Sequence, residues 1–189
     1  MIWEDFANSL WHDWRGSGAS EDRLFQASWR QWFWSKHGPD AARMPEPTPT
    51  ELAELQRLRD ELRRLTAALV GARRDSLPLT ASELEPFQAE LQEAPFRLDL
   101  QLEQNALRLE RRPLASDWQA IRFRVAAAYA DMLASGGAER LRICDNPDCK
   151  WIYYDETKNR SKRYCDDKAC GNLLKVRRFR ERARQHPKT

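Results

Sequence analysis

The chain lacks most of the devices that mark an enzyme or a membrane protein. It has no phosphate loop, no nucleophile elbow and no metalloprotease helix. Its three histidines, His12, His37 and His186, are scattered, and each reads as a surface residue. No apolar run is long enough to span a bilayer. Met1 to Leu10 contains Glu4 and Asp5 in place of the apolar core of a signal peptide. Internal repeats and low-complexity tracts are missing. Cysteine is absent until Cys144. These absences lead us to expect a cytoplasmic protein without a membrane anchor and without catalysis.

What is present is soluble globular material. Of 189 residues, 32% are charged and 41% hydrophobic, enough for one medium domain and a small one. The net charge is only +3, but it is unevenly spread. Residues 140–189 carry 15 Lys and Arg against 7 Asp and Glu, whereas residues 1–139 carry 17 against 22. An acidic body with a basic end points to an anionic partner for that end.

The four cysteines stand at Cys144-x4-Cys149 and Cys165-x4-Cys170, fifteen residues apart. Two close pairs separated by a short insert form the ligand set of a structural zinc site, because Zn²⁺ favours four tetrahedral thiolates. Two disulfides are the alternative and would need an oxidising compartment. Iron and other tetrathiolate metals are a further one. The expectation is one structural Zn²⁺ per chain. Four thiolates fill its coordination sphere and leave no position for a reactive water.

The body reads as helical. Leu24, Phe25, Trp29, Trp32 and Phe33 fall at helical spacing, and Gly38-Pro39 ends that helix. Met44 to Pro49 is a proline-rich linker. Thr50 is the expected N-cap of a long helix bearing Leu52, Leu55, Leu58, Leu62, Leu65 and Leu69. A short helix is expected from Thr80 or Ser82 to Leu91. Phe96 to Leu102 alternates strictly, Gln104-Asn105 is a turn, and Leu107 to Leu109 returns, which predicts a hairpin half-buried against the helices. Ser116 or Asp117 caps a helix through Trp118, Ile121, Val125, Tyr129 and Leu133 that ends at Gly136-Gly137.

Within residues 140–184, Asn146-Pro147-Asp148 makes a tight knuckle of the first cysteine pair. Trp151 to Tyr154 is a short aromatic strand, Lys158 to Arg163 a basic loop, and Cys170 opens a helix. The fold class is thus mainly α with a small β-hairpin (α+β). A helical domain spans residues 1–139, with its hairpin near 95–111. A four-cysteine domain follows at 140–184, then a tail at 185–189.

Cys144-Asp145-Asn146-Pro147-Asp148-Cys149-Lys150-Trp151, Asp155 to Arg160, Arg163-Tyr164-Cys165 and Cys170-Gly171-Asn172 resemble the CGNR-type zinc finger. In bacteria this finger commonly ends proteins with an N-terminal ABATE domain. Asp5-Phe6-Ala7-Asn8-Ser9, the helical layout and the proline-rich linker resemble that domain. The resemblance implies a candidate stress-induced transcription regulator, with Cys144, Cys149, Cys165 and Cys170 on zinc. The namesake arginine of the family is replaced by Leu173, and Arg177, Arg178 and Arg180 are the residues placed to compensate.

From Lys175 to Arg184, six of ten residues are basic, and Val176, Phe179 and Ala183 mark the expected inner face. Lys175, Arg177, Arg178, Arg180, Arg182 and Arg184 form the candidate nucleic-acid surface, with Lys158, Arg160, Lys162 and Arg163 as a second phosphate-binding edge. A solvated basic face is the alternative. Trp151, Tyr153 and Tyr154 suit RNA stacking, but the plainer reading is the miniature core of the finger.

The preferred reading is a DNA-binding, zinc-containing regulator whose N-terminal domain senses a small molecule or mediates assembly. Core and helix packing is the plainer reading of the N-terminal tryptophans; a small-molecule pocket is the alternative, and the places to look for it are Trp29 to Trp34 and the hairpin. A homodimer through the leucine-rich helix is a further expectation, although intramolecular packing is the more usual role for such a helix. A protein-interaction module with a purely structural finger, and an RNA-binding protein, are the competing readings.

Overall fold

The N-terminus is built into the centre of the protein. In the computed structural model, which describes residues 1–38, 44–73, 76–93 and 96–185, helix α1 (Ile2–Ala7) buries Trp3, Phe6 and Ala7. Pro39, His186 and the end of the tail lie outside the described residues. Strands β1 (Leu10–His12) and β2 (Ser20–Asp22) then pair antiparallel. Their loop is held by Asp13, whose carboxylate accepts from the backbone N–H of Arg15 at 3.1 Å.

The aromatic segment is not one helix. The Asp22 side chain caps a single 3₁₀ turn, Arg23–Phe25, and Gln26 is extended before helix α2 (Ala27–His37) begins. This break buries Trp29, Phe33 and Trp34 but turns Phe25 and Trp32 outward, at 56% and 44% exposure. The C-cap of α2 is Gly38.

Helix α3 (Pro49–Leu69) starts at Thr48, not at the expected Thr50. The reason is local. Pro49 occupies the first turn, where its missing N–H costs nothing, and Glu51 closes a reciprocal capping box with Thr48. Leu55, Leu58, Leu62, Leu65 and Leu69 are at most 1% exposed. The leucine row is therefore committed to the chain's own core rather than to a dimer. Helix α4 (Ala81–Gln92) begins with a second capping box, Thr80 with Glu83.

Strands β3 (Phe96–Glu103) and β4 (Ala106–Pro113) pair in full register across Gln104-Asn105, both at positive φ. The hairpin is not half-buried, as its alternation suggested. Leu98, Leu100, Leu102, Leu107 and Leu109 share one face by register and are 57–72% exposed. The ribbon is anchored at its base, where Phe96 stacks on Phe123 at 4.9 Å and Arg111 pairs with Asp131 at 2.7 Å. Helix α5 (Trp118–Ala134) fills its buried face with packing from α1, α3 and α4, so little of that face remains for the ribbon.

Asp117 caps α5, and Gly136 at φ +81° turns the chain out of it. Tyr129 of α5 meets Thr66 of α3 through their hydroxyls at 2.9 Å. Arg122 is buried among Glu54, Glu90 and Glu93, which ties α5 to α3, to α4 and to the end of α4. Strands β5 (Leu141–Ile143) and β6 (Ile152–Tyr154) form a third antiparallel pair. Leu141 and Ile152 belong to the same buried cluster as the body helices. Helix α6 (Asn172–Gln185) completes the described chain.

Candidate metal centre and basic helix

The two cysteine pairs converge. Cys144 follows β5, and its N–H donates to the Trp151 carbonyl at 2.8 Å, which closes the first knuckle. Inside the knuckle the Cys149 N–H donates to the Asn146 carbonyl at 3.0 Å. The second pair is carried by a tight turn, capped by Asp166, that runs into α6. All four Sγ atoms lie within 4.8 Å of one another. The Cys149–Cys165 and Cys165–Cys170 sulfur separations are 3.6 and 3.9 Å. Four sulfurs at ~2.3 Å from a tetrahedral Zn²⁺ would sit about 3.8 Å apart, so the donor set fits that ion.

Hydrogen bonds from Cys149 and Cys165, with backbone N–H groups behind them, hold the Cys144 thiol down to about 2, while its thiolate pushes Cys149 up to about 12 and raises Cys165 as well. Four thiolate ligands release their protons when a metal binds. Cys144, Cys149 and Cys170 are buried and Cys165 is half-buried. Tyr153 and Tyr164 pack against them as the miniature core, with Trp151 at the edge.

Three polar residues organise this unit, in roles that the sequence motifs containing them did not disclose. Asn146, fully buried, donates to the Trp14 carbonyl at 2.8 Å and to the Cys170 sulfur at 3.5 Å. Asn8 donates to the Ile152 carbonyl at 2.7 Å and accepts from its N–H at 2.9 Å. Asp155, also fully buried, accepts from Thr157 N and Oγ1 and from Lys162 N at 2.9, 2.6 and 3.0 Å, which shapes the basic loop. Burial pushes its carboxyl up, but these donors outweigh burial and hold it low. Asn146 and Asp155 stand in the motifs quoted for the finger and Asn8 in the one quoted for the body, but the distant groups they bond are set by the fold.

The predicted basic residues divide into two groups. Arg160 pairs with Glu139, and Arg163 with Asp145 at 2.6 Å. Lys162 lies over the Tyr153 ring at 5.1 Å. Arg177 bridges Asp148 and the Arg15 carbonyl at 2.7 and 2.6 Å, and Arg178 donates to the Tyr164 hydroxyl at 3.2 Å. These five stabilise the finger itself. Lys158, Lys175, Arg180, Arg182 and Arg184 are exposed and make no ion pair among the described residues.

The expected inner face of α6 is not inner. Only Leu173, Leu174 and Arg177 are half-buried, while Val176 and Phe179 are 44% and 72% exposed. The first turns of α6 pack on the cysteine cluster, and the rest extends beyond the body.

These features define a four-cysteine finger docked on a helical body, with a basic helix leading away from the metal ligands. A family described as the CGNR zinc finger matches residues 140–183. A second, ABATE, described as "Putative stress-induced transcription regulator", matches residues 2–136, and the chain belongs to that family. Comparison with curated proteins returns no match.

Proposed function

We propose that this chain is a cytoplasmic, DNA-binding transcriptional regulator holding one structural Zn²⁺ on Cys144, Cys149, Cys165 and Cys170. The observation that carries this reading is α6 itself. It leaves the cysteine cluster with Lys175, Arg180, Arg182 and Arg184 exposed and without carboxylate partners among the described residues. Unpaired arginines on a projecting helix suit phosphates and base edges of a duplex. Zinc, when bound, supplies a crosslink that fixes the start of that helix and carries no reaction. Lys158 is the remaining free cation of the basic loop among the described residues. Arg160, Lys162, Arg163, Arg177 and Arg178 act chiefly by holding the finger together. The role is not enzymatic, and the N-terminal body answers to a ligand or to assembly.

Self-association on this reading uses the hairpin. Its leucine face is exposed, whereas the α3 leucines are in the core. Arg111, the one charged residue on that face by register, is held by Asp131 of the same chain. The face is therefore apolar and self-complementary for a second copy. Sedimentation of the Leu100→Glu variant against the parent checks it, and an unchanged oligomeric state removes this part of the proposal.

The decisive experiment for the regulator is selection of a random duplex pool on the zinc-loaded protein at moderate salt. An enriched motif supports sequence-specific DNA binding. Weak, salt-sensitive retention without enrichment makes α6 a generic anion surface and transfers the lead to the protein-interaction reading.

A further inference from the structure

Four of the eight tryptophans remain only half-buried or exposed although the core is well filled, and they gather on one side of the molecule. A cavity of about 390 Å³ between the β1–β2 ribbon and the finger is lined by Trp11, Trp14, Trp151, His12 and Arg23, with cluster sulfurs as its wall. A second cavity of about 270 Å³ adjoins it, sharing Arg23 and Trp151 and adding Trp29 and Trp32. Beside the aromatic helix the groove is walled by the finger and not by the hairpin.

Arg23 stands where the two cavities meet. It is half-buried and lies over the Trp11 ring at 5.4 Å, with no carboxylate in ion-pair range among the described residues. A half-buried guanidinium with only an aromatic neighbour is incompletely served, and a planar anion would satisfy it. Charges of both signs surround it, since the metal-loaded thiolate cluster in the wall carries two net negative charges. Arg15 lies over Trp14 at 4.7 Å. Burial, with the nearby charges of Lys150 and Arg63, moves the His12 imidazole below its ordinary value. Of the acids lining the cavities, Asp5 is engaged by Lys36 and His37, and Asp166 caps the turn before α6.

We propose that this groove binds an aromatic anion, a planar ring carrying a carboxylate or a phosphate. The ring lies among Trp11, Trp14 and Trp151, and the anionic group meets Arg23, with His12 as a polar contact. This deepens the ligand-responsive half of the regulator reading and rests on it only for its consequence. The same ribbon reaches the finger through Trp14 to Asn146 and through Arg15 to Arg177. A Cβ on Gly16, at φ +90°, would come within 2.7 Å of Arg177 and 2.8 Å of Asp148. A ligand clamped between ribbon and finger therefore acts on the base of α6.

The test is calorimetric titration of the zinc-loaded full chain with benzoate and, separately, with adenosine monophosphate. Acetate and inorganic phosphate serve as ring-free controls. Saturable binding of at least one aromatic anion at a Kd of about 1 mM or tighter, and at least tenfold weaker binding of its control, is expected. A response to benzoate alone assigns a small aromatic acid, and a response to the nucleotide alone assigns a nucleotide. Arg23→Gln is expected to weaken binding by about tenfold or more, and Arg23→Lys, which keeps the charge, by less. Absence of heat from both probes at about 10 mM overturns the site, as does equal affinity in Arg23→Gln with its fold intact. Duplex retention by the same Arg23 variants is read separately, so loss of DNA binding and loss of this site are distinguishable.

Discussion

Asn8 and Ile152 are joined by two hydrogen bonds in opposite directions, at 2.7 and 2.9 Å, across a sequence separation of 144 residues. The Asn8 amide takes the place of a neighbouring strand beside β6, and both partners are buried. The end of α1 thereby satisfies the backbone of the finger's central strand. Arg63 reinforces the junction by donating to the Ala7 and Lys150 carbonyls at 3.0 and 3.1 Å.

Removing this amide should be costly, because the alternative for Ile152 is an unpaired buried peptide group. Asn8→Ala is expected to lower unfolding free energy by about 2–4 kcal/mol in urea titrations. Asn8→Asp should also be destabilising, since a carboxylate cannot donate to the Ile152 carbonyl. A loss below about 0.5 kcal/mol for Asn8→Ala would show that the two bonds do not hold the finger to the body.

Chelation should affect more than the finger. The small unit has little apolar core of its own, so the metal is expected to supply much of its stability. Leu141 and Ile152 nevertheless sit in the buried cluster of the body. Thermal melts followed by far-ultraviolet circular dichroism should therefore show a lower Tm for the whole chain on adding a strong chelator. Cys165→Ser should give a similar loss without chelator. An unchanged body transition in both cases would mean that the two parts unfold independently.

Salt dependence separates the two groups of arginines. Arg180→Ala, Arg182→Ala and Arg184→Ala together should reduce the slope of log affinity against log salt for duplex DNA. The reduction should be about 0.9 for each phosphate no longer neutralised, roughly 2–3 for the triple variant. These side chains are exposed, so Tm should stay nearly constant. Arg177→Ala removes the bridge to Asp148 and Arg15 and should lower Tm instead. Slope reductions of equal size from both sets would contradict the division.

Asp5 provides a pH signature. Burial pushes its carboxyl up, but hydrogen bonds from Lys36 at 2.8 Å and His37 at 2.7 Å prevail and hold it below the ordinary aspartate value. A carboxyl depressed in the folded state stabilises above its unfolded value of ~3.9, and that contribution is lost as pH falls through the folded value. The parent should exceed Asp5→Asn by about 1–2 kcal/mol at neutral pH, with the gap closing below about pH 4. A gap unchanged down to pH 2.5 or so would rule the linkage out.

Local signals were legible before the fold was known. The cysteine spacing, the leucine row of α3, the Gln104-Asn105 turn and the Asp117 cap all act over a few residues, and the chain folds there as those residues dictate. Even the shift of the α3 cap from Thr50 to Thr48 has a local cause, the capping box with Glu51. The outward hairpin and the exposed stripe of α6 were not legible in this way. Alternation and helical spacing state which face of an element is apolar, but not whether anything covers it.

By itself the sequence determined the cysteine spacing, most of the helices, the Asp117 cap and a basic C-terminal end, because each depends on near neighbours. Tertiary structure alone decided that Asn8 completes β6, that Asn146 and Asp155 are buried organisers, and that Arg160, Arg163 and Arg177 serve the finger while Arg180, Arg182 and Arg184 make no ion pair among the described residues. It also decided that Arg23 lies between two tryptophan-lined cavities. Each of these outcomes pairs groups distant in sequence, and a hydrogen bond or an ion pair depends on separations of a few ångströms that residue order does not encode locally.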